Sequence, residues 1–193
     1  MPLRALLVVA AALLLGGCGS GNENAATVSR TTVATSVPTT SVPALEGAST
    51  DPVLWKADTT ETALLTGVRA ARHPGFDRVV FEFRNHLPGY DMGYVEPPVQ
   101  ADGSGADVNV AGSAILRLRM DPALDADLTK GSAPLTYTGP TRFSPDTAAV
   151  TELVRIGGFE ATLSWAIGVN GKQPFRVTRL ENPARLVIDI ETG

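Results

Sequence analysis

One stretch of the sequence, FEATLSWAIGV at positions 159–169, alternates apolar residues with polar or small ones. One face of an extended chain would carry Phe159, Ala161, Leu163, Trp165, Ile167 and Val169. A period of two residues is typical of a β-strand with one buried face. The pattern predicts a strand over Phe159–Val169, with Gly157-Gly158 as the turn before it and Asn170-Gly171 as the hairpin turn after it.

The same alternation recurs along the chain on both sides of this strand. The predicted strands are Leu64–Arg72, Phe76–Arg84, Tyr90–Glu96, Asp107–Val110, Ala114–Met120, Val150–Ile156, Phe175–Leu180 and Arg185–Glu191. Short turns rich in Gly, Pro and Asn separate most of them, which favours antiparallel pairing. We therefore expect an all-β domain, an antiparallel β-sandwich or partly closed barrel of about 8–9 strands. In the irregular region after Met120, Asp121 is expected to cap a short helical turn over Pro122–Leu128.

The N-terminus has the features of a bacterial lipoprotein signal. A single positive charge at Arg4 precedes the apolar run Ala5–Leu15, which is too short to span a bilayer but suits a signal peptide. The run ends in Leu15-Gly16-Gly17-Cys18, which matches the lipobox. The sequence thus predicts cleavage after residue 17 and transfer of diacylglycerol to the Cys18 thiol, which would form a thioether to a lipid that carries fatty-acyl chains such as palmitate. The mature chain would be anchored in the membrane on its extracytoplasmic face.

A tether follows the predicted anchor. Eleven of the twenty-four residues from Thr27 to Thr50 are Ser or Thr, and two Val-Pro steps interrupt the segment. It offers no apolar face whose burial could offset the entropy of ordering. We interpret residues 1–17 as signal peptide, 18–50 as lipidated N-terminus and disordered linker, and 51–193 as the folded domain.

Composition and motifs argue against several classes of function. The single Cys excludes an internal disulfide, and the net charge of −4 argues against a nucleic-acid partner. The sequence contains no nucleophile-elbow, zinc-protease or P-loop pattern. A hydrolase would need His73 or His86 in a cleft beside a Ser or a carboxylate. A calcium site could use Asp121, Asp125 and Asp127, but a solvated acidic surface is favoured. We expect a non-enzymatic protein without metal or cofactor.

Two segments carry a resemblance to a known family. The closing stretch FRVTRLENPARLVIDI, positions 175–190, resembles the end of AMIN domains, in which an Asn-Pro turn leads into an Arg-Leu-Val-Ile-Asp strand. The stretch RHPGFDRVVFEF, positions 72–83, is similar to the opening of AMIN-like domains of actinobacterial lipoproteins. The resemblance implies a small β-sandwich in the cell envelope that binds peptidoglycan or an envelope protein. We expect no hydrolase domain within this sequence that such a module could position.

The closing segment can also be interpreted on physical grounds, without the family resemblance. Asn182 and Pro183 suit a turn, because Pro fixes φ and restricts the residue before it. Arg185 and Asp189 fall on one face of the last strand. Asp189 lies between two isoleucines, so we expect it to be partly buried and paired with an Arg of a neighbouring strand.

Two sets of residues are candidates for ligand binding. Tyr90 and Tyr94 could stack on sugar rings if exposed, and Arg78, Arg117 and Arg119 could meet anionic wall polymers. The alternative is that the tyrosines pack in the core and the arginines pair with Glu82 and its neighbours.

The leading hypothesis is a lipid-anchored envelope protein that binds a peptidoglycan-like polymer or an envelope protein. The alternative function is a carrier that holds a small apolar ligand between its sheets.

Overall fold

A computed structural model describes residues 44–193 as an all-β protein. Its strands are β1 Val53–Trp55, β2 Ala63–His73, β3 Phe76–Phe83, β4 Gly89–Val95, β5 Val99–Gln100, β6 Asp107–Val108, β7 Ala114–Asp121, β8 Ala123–Leu124, β9 Arg142–Phe143, β10 Val150–Phe159, β11 Thr162–Val169, β12 Phe175–Glu181 and β13 Ala184–Glu191. The eight with seven or more residues all coincide with predicted strands. The predicted signal peptide, Cys18 and the tether up to residue 43 lie outside the described residues. No helix in the described part is long and apolar enough to cross a membrane.

The strands form two main sheets and a small one. The larger sheet has the order β1-β4-β7-β11-β10-β9, the second has the order β12-β13-β3-β2-β8, and β5 pairs with β6. Pairing among the described strands is antiparallel except between β2 and β8. The predicted fold class, an antiparallel β-sandwich, is confirmed.

The two main sheets are joined at one corner. Strand β7 ends at Asp121 in the larger sheet, and β8 begins at Ala123 in the second sheet. The backbone N–H of Ala123 donates to the carbonyl of Ala161, 2.7 Å away. The prediction of a helical turn over Pro122–Leu128 was wrong, because Ala123 and Leu124 of this segment pair with β2 as a short parallel strand.

The opposite edge of the sandwich is closed by the segment that precedes β1. Ser49 and Phe175 exchange backbone hydrogen bonds of 3.1 and 2.8 Å, so this residue lies beside the edge strand β12. A few residues later the chain pairs with β4, at the edge of the other sheet. Leu45 N–H also donates to the Glu191 carboxylate at 2.8 Å. The segment therefore crosses from one sheet to the other over their open edges.

The main core fills the space between the sheets. Trp165 is fully buried, with the rings of Phe81 and Tyr137 edge-on to it at centroid distances of 5.7 and 5.9 Å. Leu186, Ile188 and Ile190 point inward from the last strand, as its alternation predicted. A second, smaller cluster is made of Val99, Ile115, Val154, Ile156 and Ala166. Ala166 is adjacent in sequence to the core residue Trp165, so the larger sheet buries apolar side chains on both faces.

The hairpin at the end of β10 differs from its prediction. The turn is Glu160-Ala161, between the paired residues Phe159 and Thr162, and Gly157-Gly158 lies within β10. Both turn residues have positive φ, 48° and 60°, as a two-residue type I′ turn requires. Gly157 is needed for space, since a Cβ there would overlap the Asp102 carboxylate. Phe159 is 57% exposed and does not join the buried face of the strand.

Candidate binding clefts

A ridge at the edge of the sandwich where β1 and β12 lie separates two clefts. The ridge is the segment 55–60, which begins at the last residue of β1, and Trp55, Ala57 and Thr59 line both clefts. The Arg119 cleft has a volume of about 570 Å³ and the His86 cleft about 440 Å³. Both are open, and both lie in the size range of small-ligand sites.

The indole of Trp55 is held from two directions. The Arg179 guanidinium carbon lies 4.5 Å from the centre of the indole, and the Tyr90 ring is tilted against it at 6.0 Å. Arg179 Nη1 also donates to the Tyr90 hydroxyl at 3.4 Å. These contacts join β1, β4 and β12 across the gap between the sheets. The Trp55 ring is therefore fixed in place before any ligand arrives.

Polar groups of mixed charge line the Arg119 cleft. Lys56 and Arg119 supply two positive charges, and Asp91 and Asp121 supply two negative ones. All four side chains belong to exposed residues. Hydroxyls come from Thr59, Thr60 and Thr162. The cleft offers both donors and acceptors and has no net charge.

The His86 cleft is more acidic. Asp58 and Glu181 line it with the single guanidinium of Arg179, and Asn85 and Asn182 add amide groups. His86 places Nε2 2.7 Å from the Glu61 carbonyl and Nδ1 3.9 Å from the carboxylate of the same residue. Both ring nitrogens thus face the loop rather than the cleft. His73 stacks on Phe76 at 4.9 Å and lines neither cleft.

The structure divides the predicted binding residues among three places. Tyr90 and Arg119 line the Arg119 cleft, although Tyr90 is only 3% exposed and offers no free ring face. Tyr94 and Arg117 line a separate small cleft of about 160 Å³. The Tyr94 hydroxyl donates to the Gln173 carbonyl at 2.6 Å, and burial raises the pKa of Tyr94.

Arg78 lies elsewhere, on the outer face of the second sheet. Its Nε and Nη2 donate to the two carboxylate oxygens of Asp189 at 2.6 and 2.9 Å. Arg176 on the other flanking strand donates to Asp189 Oδ2 at 2.8 Å. Asp189 is 1% exposed, so burial raises its pKa, but the hydrogen bonds and charges of the two arginines outweigh this and hold the pKa below its usual value. Each neighbouring strand supplies one Arg to this carboxylate.

Three further residues of the closing segment that were named from sequence, Asn182, Pro183 and Arg185, lie at or near the surface. Asn182 and Pro183 form the exposed turn between β12 and β13. Arg185 lies opposite Glu82 in the sheet and donates to the Pro183 carbonyl at 3.4 Å. Asn182 also lines the His86 cleft, which the sequence alone did not indicate.

The three aspartates considered as a calcium site are separated. Asp121 lines the Arg119 cleft, Asp125 pairs with Arg155 at 2.6 Å, and Asp127 accepts from Thr129 and Arg84. Asp127 is 5% exposed, so the expectation of a solvated surface was wrong for this residue. Within residues 44–193, no group of three or more His, Cys, Asp or Glu side chains is arranged to hold a metal ion.

Residues 63–192 match the AMIN-like domain family. The chain belongs to the AMIN-like domain family. No curated protein and no solved structure matches it. Membership suggests a peptidoglycan-associated role in the cell envelope and an extracytoplasmic location, and domains of this family are binding domains.

The AMIN-like domain contributes one wall of each cleft, and a preceding segment contributes the other. Tyr90, Arg119 and Arg179 lie inside the matched residues 63–192, whereas Trp55 and the rest of the ridge precede them. Sequence reasoning missed Trp55 and Arg179. The signal that could have found Trp55 is an aromatic residue in Val53-Leu54-Trp55, a short β-prone run directly after the tether.

Proposed function

We propose that this protein is a non-enzymatic, lipid-anchored module of the bacterial envelope that binds a cell-wall polymer. The observation that carries the proposal is the AMIN-like match over residues 63–192. The two open clefts support it, because a polymer needs a site that is open at its ends. The lipobox ending at Cys18 supports the anchor, and the Ser/Thr-rich tether would let the domain reach away from the membrane.

The alternative function, a carrier of a small apolar ligand between the sheets, is less well supported. The interior is occupied by large side chains such as Trp165, Phe81 and Phe175, each 2% exposed or less. The Arg119 cleft and the His86 cleft lie at the edge of the sandwich and are open. An apolar ligand would have to displace packed core residues, which costs free energy at each lost contact.

Co-sedimentation tests the wall-binding role. The full chain, purified in a mild detergent, is mixed with insoluble peptidoglycan and centrifuged, with a polymer-free sample as the control. We expect the protein in the pellet only when the polymer is present. Recovery in the supernatant at every polymer concentration would refute wall binding and favour a protein partner.

Metabolic labelling with a fatty-acid analogue tests the anchor. The wild-type chain should take up the label and partition into a detergent phase. Cys18→Ser removes the thiol that accepts the lipid, so this variant should lose both properties. Equal labelling of the two chains would show that Cys18 is not the acylated residue.

A further inference from the structure

The Trp55 ridge combines three features that a ligand site requires. Its aromatic ring is held by Arg179 and Tyr90, its flanks are two open clefts, and polar side chains surround both. Fixing a side chain before binding lowers the entropy cost of association. The Arg179–Trp55 contact crosses between edge strands of the two sheets. A solely structural role would not require donors and acceptors along both flanks.

The lining indicates the chemistry of the ligand. The Arg119 cleft has balanced charges, two positive and two negative, and the His86 cleft has two carboxylates against one guanidinium. A phosphate-bearing polymer would be repelled by the acidic cleft and not attracted by the balanced one. A neutral ligand rich in hydroxyl or amide groups would find acceptors at Asp91, Asp121 and Glu181, and donors at Arg119 and Arg179. Such a ligand would also present C–H groups to the electron-rich face of an aromatic ring.

We propose that a neutral saccharide chain binds across the Trp55 ridge, with sugar units in both the Arg119 cleft and the His86 cleft. This inference rests on the proposed wall-binding function and specifies its site and ligand class. The two clefts share Trp55, Ala57 and Thr59, so one chain that follows the surface passes from one to the other over the ridge. The ridge precedes residues 63–192, so the site is built partly from residues outside the family match.

Calorimetry with soluble N-acetylglucosamine oligosaccharides tests the site. The full chain in detergent is titrated with the dimer, the tetramer and the hexamer. Affinity should rise with length, because only a longer chain reaches both clefts. Trp55→Ala should weaken tetramer binding by about tenfold or more, as is typical of a central aromatic contact. Phe159→Ala is the matched control, since this exposed aromatic residue lines neither cleft, and it should leave the affinity unchanged.

Two exposed charged residues test the crossing of the ridge and do not depend on the packing of Trp55. Arg119→Ala removes a donor from one cleft, and Glu181→Ala removes an acceptor from the other. We expect each to weaken binding severalfold, and Trp55→Phe to retain more affinity than Trp55→Ala. A loss with only one of the two charged variants, or equal affinity for dimer and hexamer, would overturn the proposal of a chain across both clefts.

Sedimentation with intact peptidoglycan separates failure of the site from failure of the function. If folded Trp55→Ala sediments as well as wild type, the ridge is not the site, although wall binding stands. If wild type does not sediment, the proposed function fails whatever the oligosaccharides do. Binding of the isolated peptide fraction or of poly(glycerol phosphate) in place of the oligosaccharides would refute the saccharide assignment.

Discussion

Asp189 is a buried carboxylate held by guanidinium groups from both neighbouring strands. Arg78 comes from β3 and Arg176 from β12, while only 1% of Asp189 is exposed. Asp189→Asn removes the charge that both arginines face, so we expect the free energy of unfolding to fall by about 1–3 kcal/mol. Chemical denaturation measures this, with the exposed Asp107→Asn as control. An unchanged midpoint would show that the cluster contributes nothing to stability.

The same carboxylate makes stability depend on pH. Its pKa in the folded state is lowered, so its stabilising effect is complete above the unfolded pKa of about 3.9. This stabilisation is lost as the pH falls through the folded-state pKa. Glu152, which accepts from Ala111 N–H and Arg142, also has a lowered pKa. Denaturation between pH 7 and pH 2 should therefore show a shallower acid loss in Asp189→Asn than in wild type, with some dependence remaining.

A second buried carboxylate links the two sheets. Asp77 on β3 is fully buried, and one of its oxygens accepts the backbone N–H groups of Ala149 and Val150 at the start of β10. Asp77→Ala leaves both donors without this acceptor, so unfolding should become easier by roughly 1–3 kcal/mol. The exposed Asp51→Ala is a suitable control in the same thermal-melt series. Equal melting temperatures would mean that water or another group replaces the carboxylate.

At the scale of elements, the β10–β11 hairpin has an unfavourable turn sequence. Glu160 and Ala161 both have positive φ, a conformation that Asn and Gly adopt at lower cost. The double variant Glu160→Asn, Ala161→Gly should raise the free energy of unfolding by about 1 kcal/mol. Gly157→Ala should have the opposite effect, because its methyl group would overlap the Asp102 side chain. If the double variant and Gly157→Ala both stabilised the protein, this result would contradict the observed turn.

The long strands could be predicted from the sequence because alternation of eight or more residues is a strong local signal. Strand β3, Phe76–Phe83, and strand β7, Ala114–Asp121, lie within a residue of their predicted bounds. The turn at Glu160-Ala161 could not be predicted, because neither residue favours positive φ and the neighbouring Gly-Gly is a stronger turn signal. The two-residue strands β5, β8 and β9 exist only through their partners, and a local pattern cannot reveal them.

The candidate site was predictable only in part. Tyr90 and Arg119 were named from sequence, and both line the Arg119 cleft. Trp55 and Arg179 meet across the two sheets although they are far apart in sequence. Contacts of this kind depend on the sheet order, and no spacing in the sequence encodes them.

On the scale of the whole molecule, few contacts hold the segment that precedes β1 against the sandwich. Arg176 binds both the Glu46 carbonyl, at 3.1 Å, and Asp189. Arg176→Ala should therefore speed hydrogen exchange at Ala48 and Ser49, whose amides donate to Leu45 and Phe175, and leave the core of β11 protected. Arg185→Ala is the matched control, since Arg185 lies on the same sheet without contacting this segment. Equal exchange in the two variants would show that Arg176 does not hold it.

These contacts also decide how the molecule would carry a mechanical load. A pull from the N-terminal side reaches the Leu45–Glu191 hydrogen bond first, then the contact between the Glu46 carbonyl and Arg176, then the Ser49–Phe175 pair, and only then β1 and the Trp55 ridge. Bonds loaded one after another yield singly, at lower force than bonds loaded together. Residues 45–52 reach roughly 27 Å when fully extended, at about 3.4 Å for each residue, so their release would add slack of less than this length. This segment would then extend before the force reaches the clefts, so the clefts would keep their shape under tension.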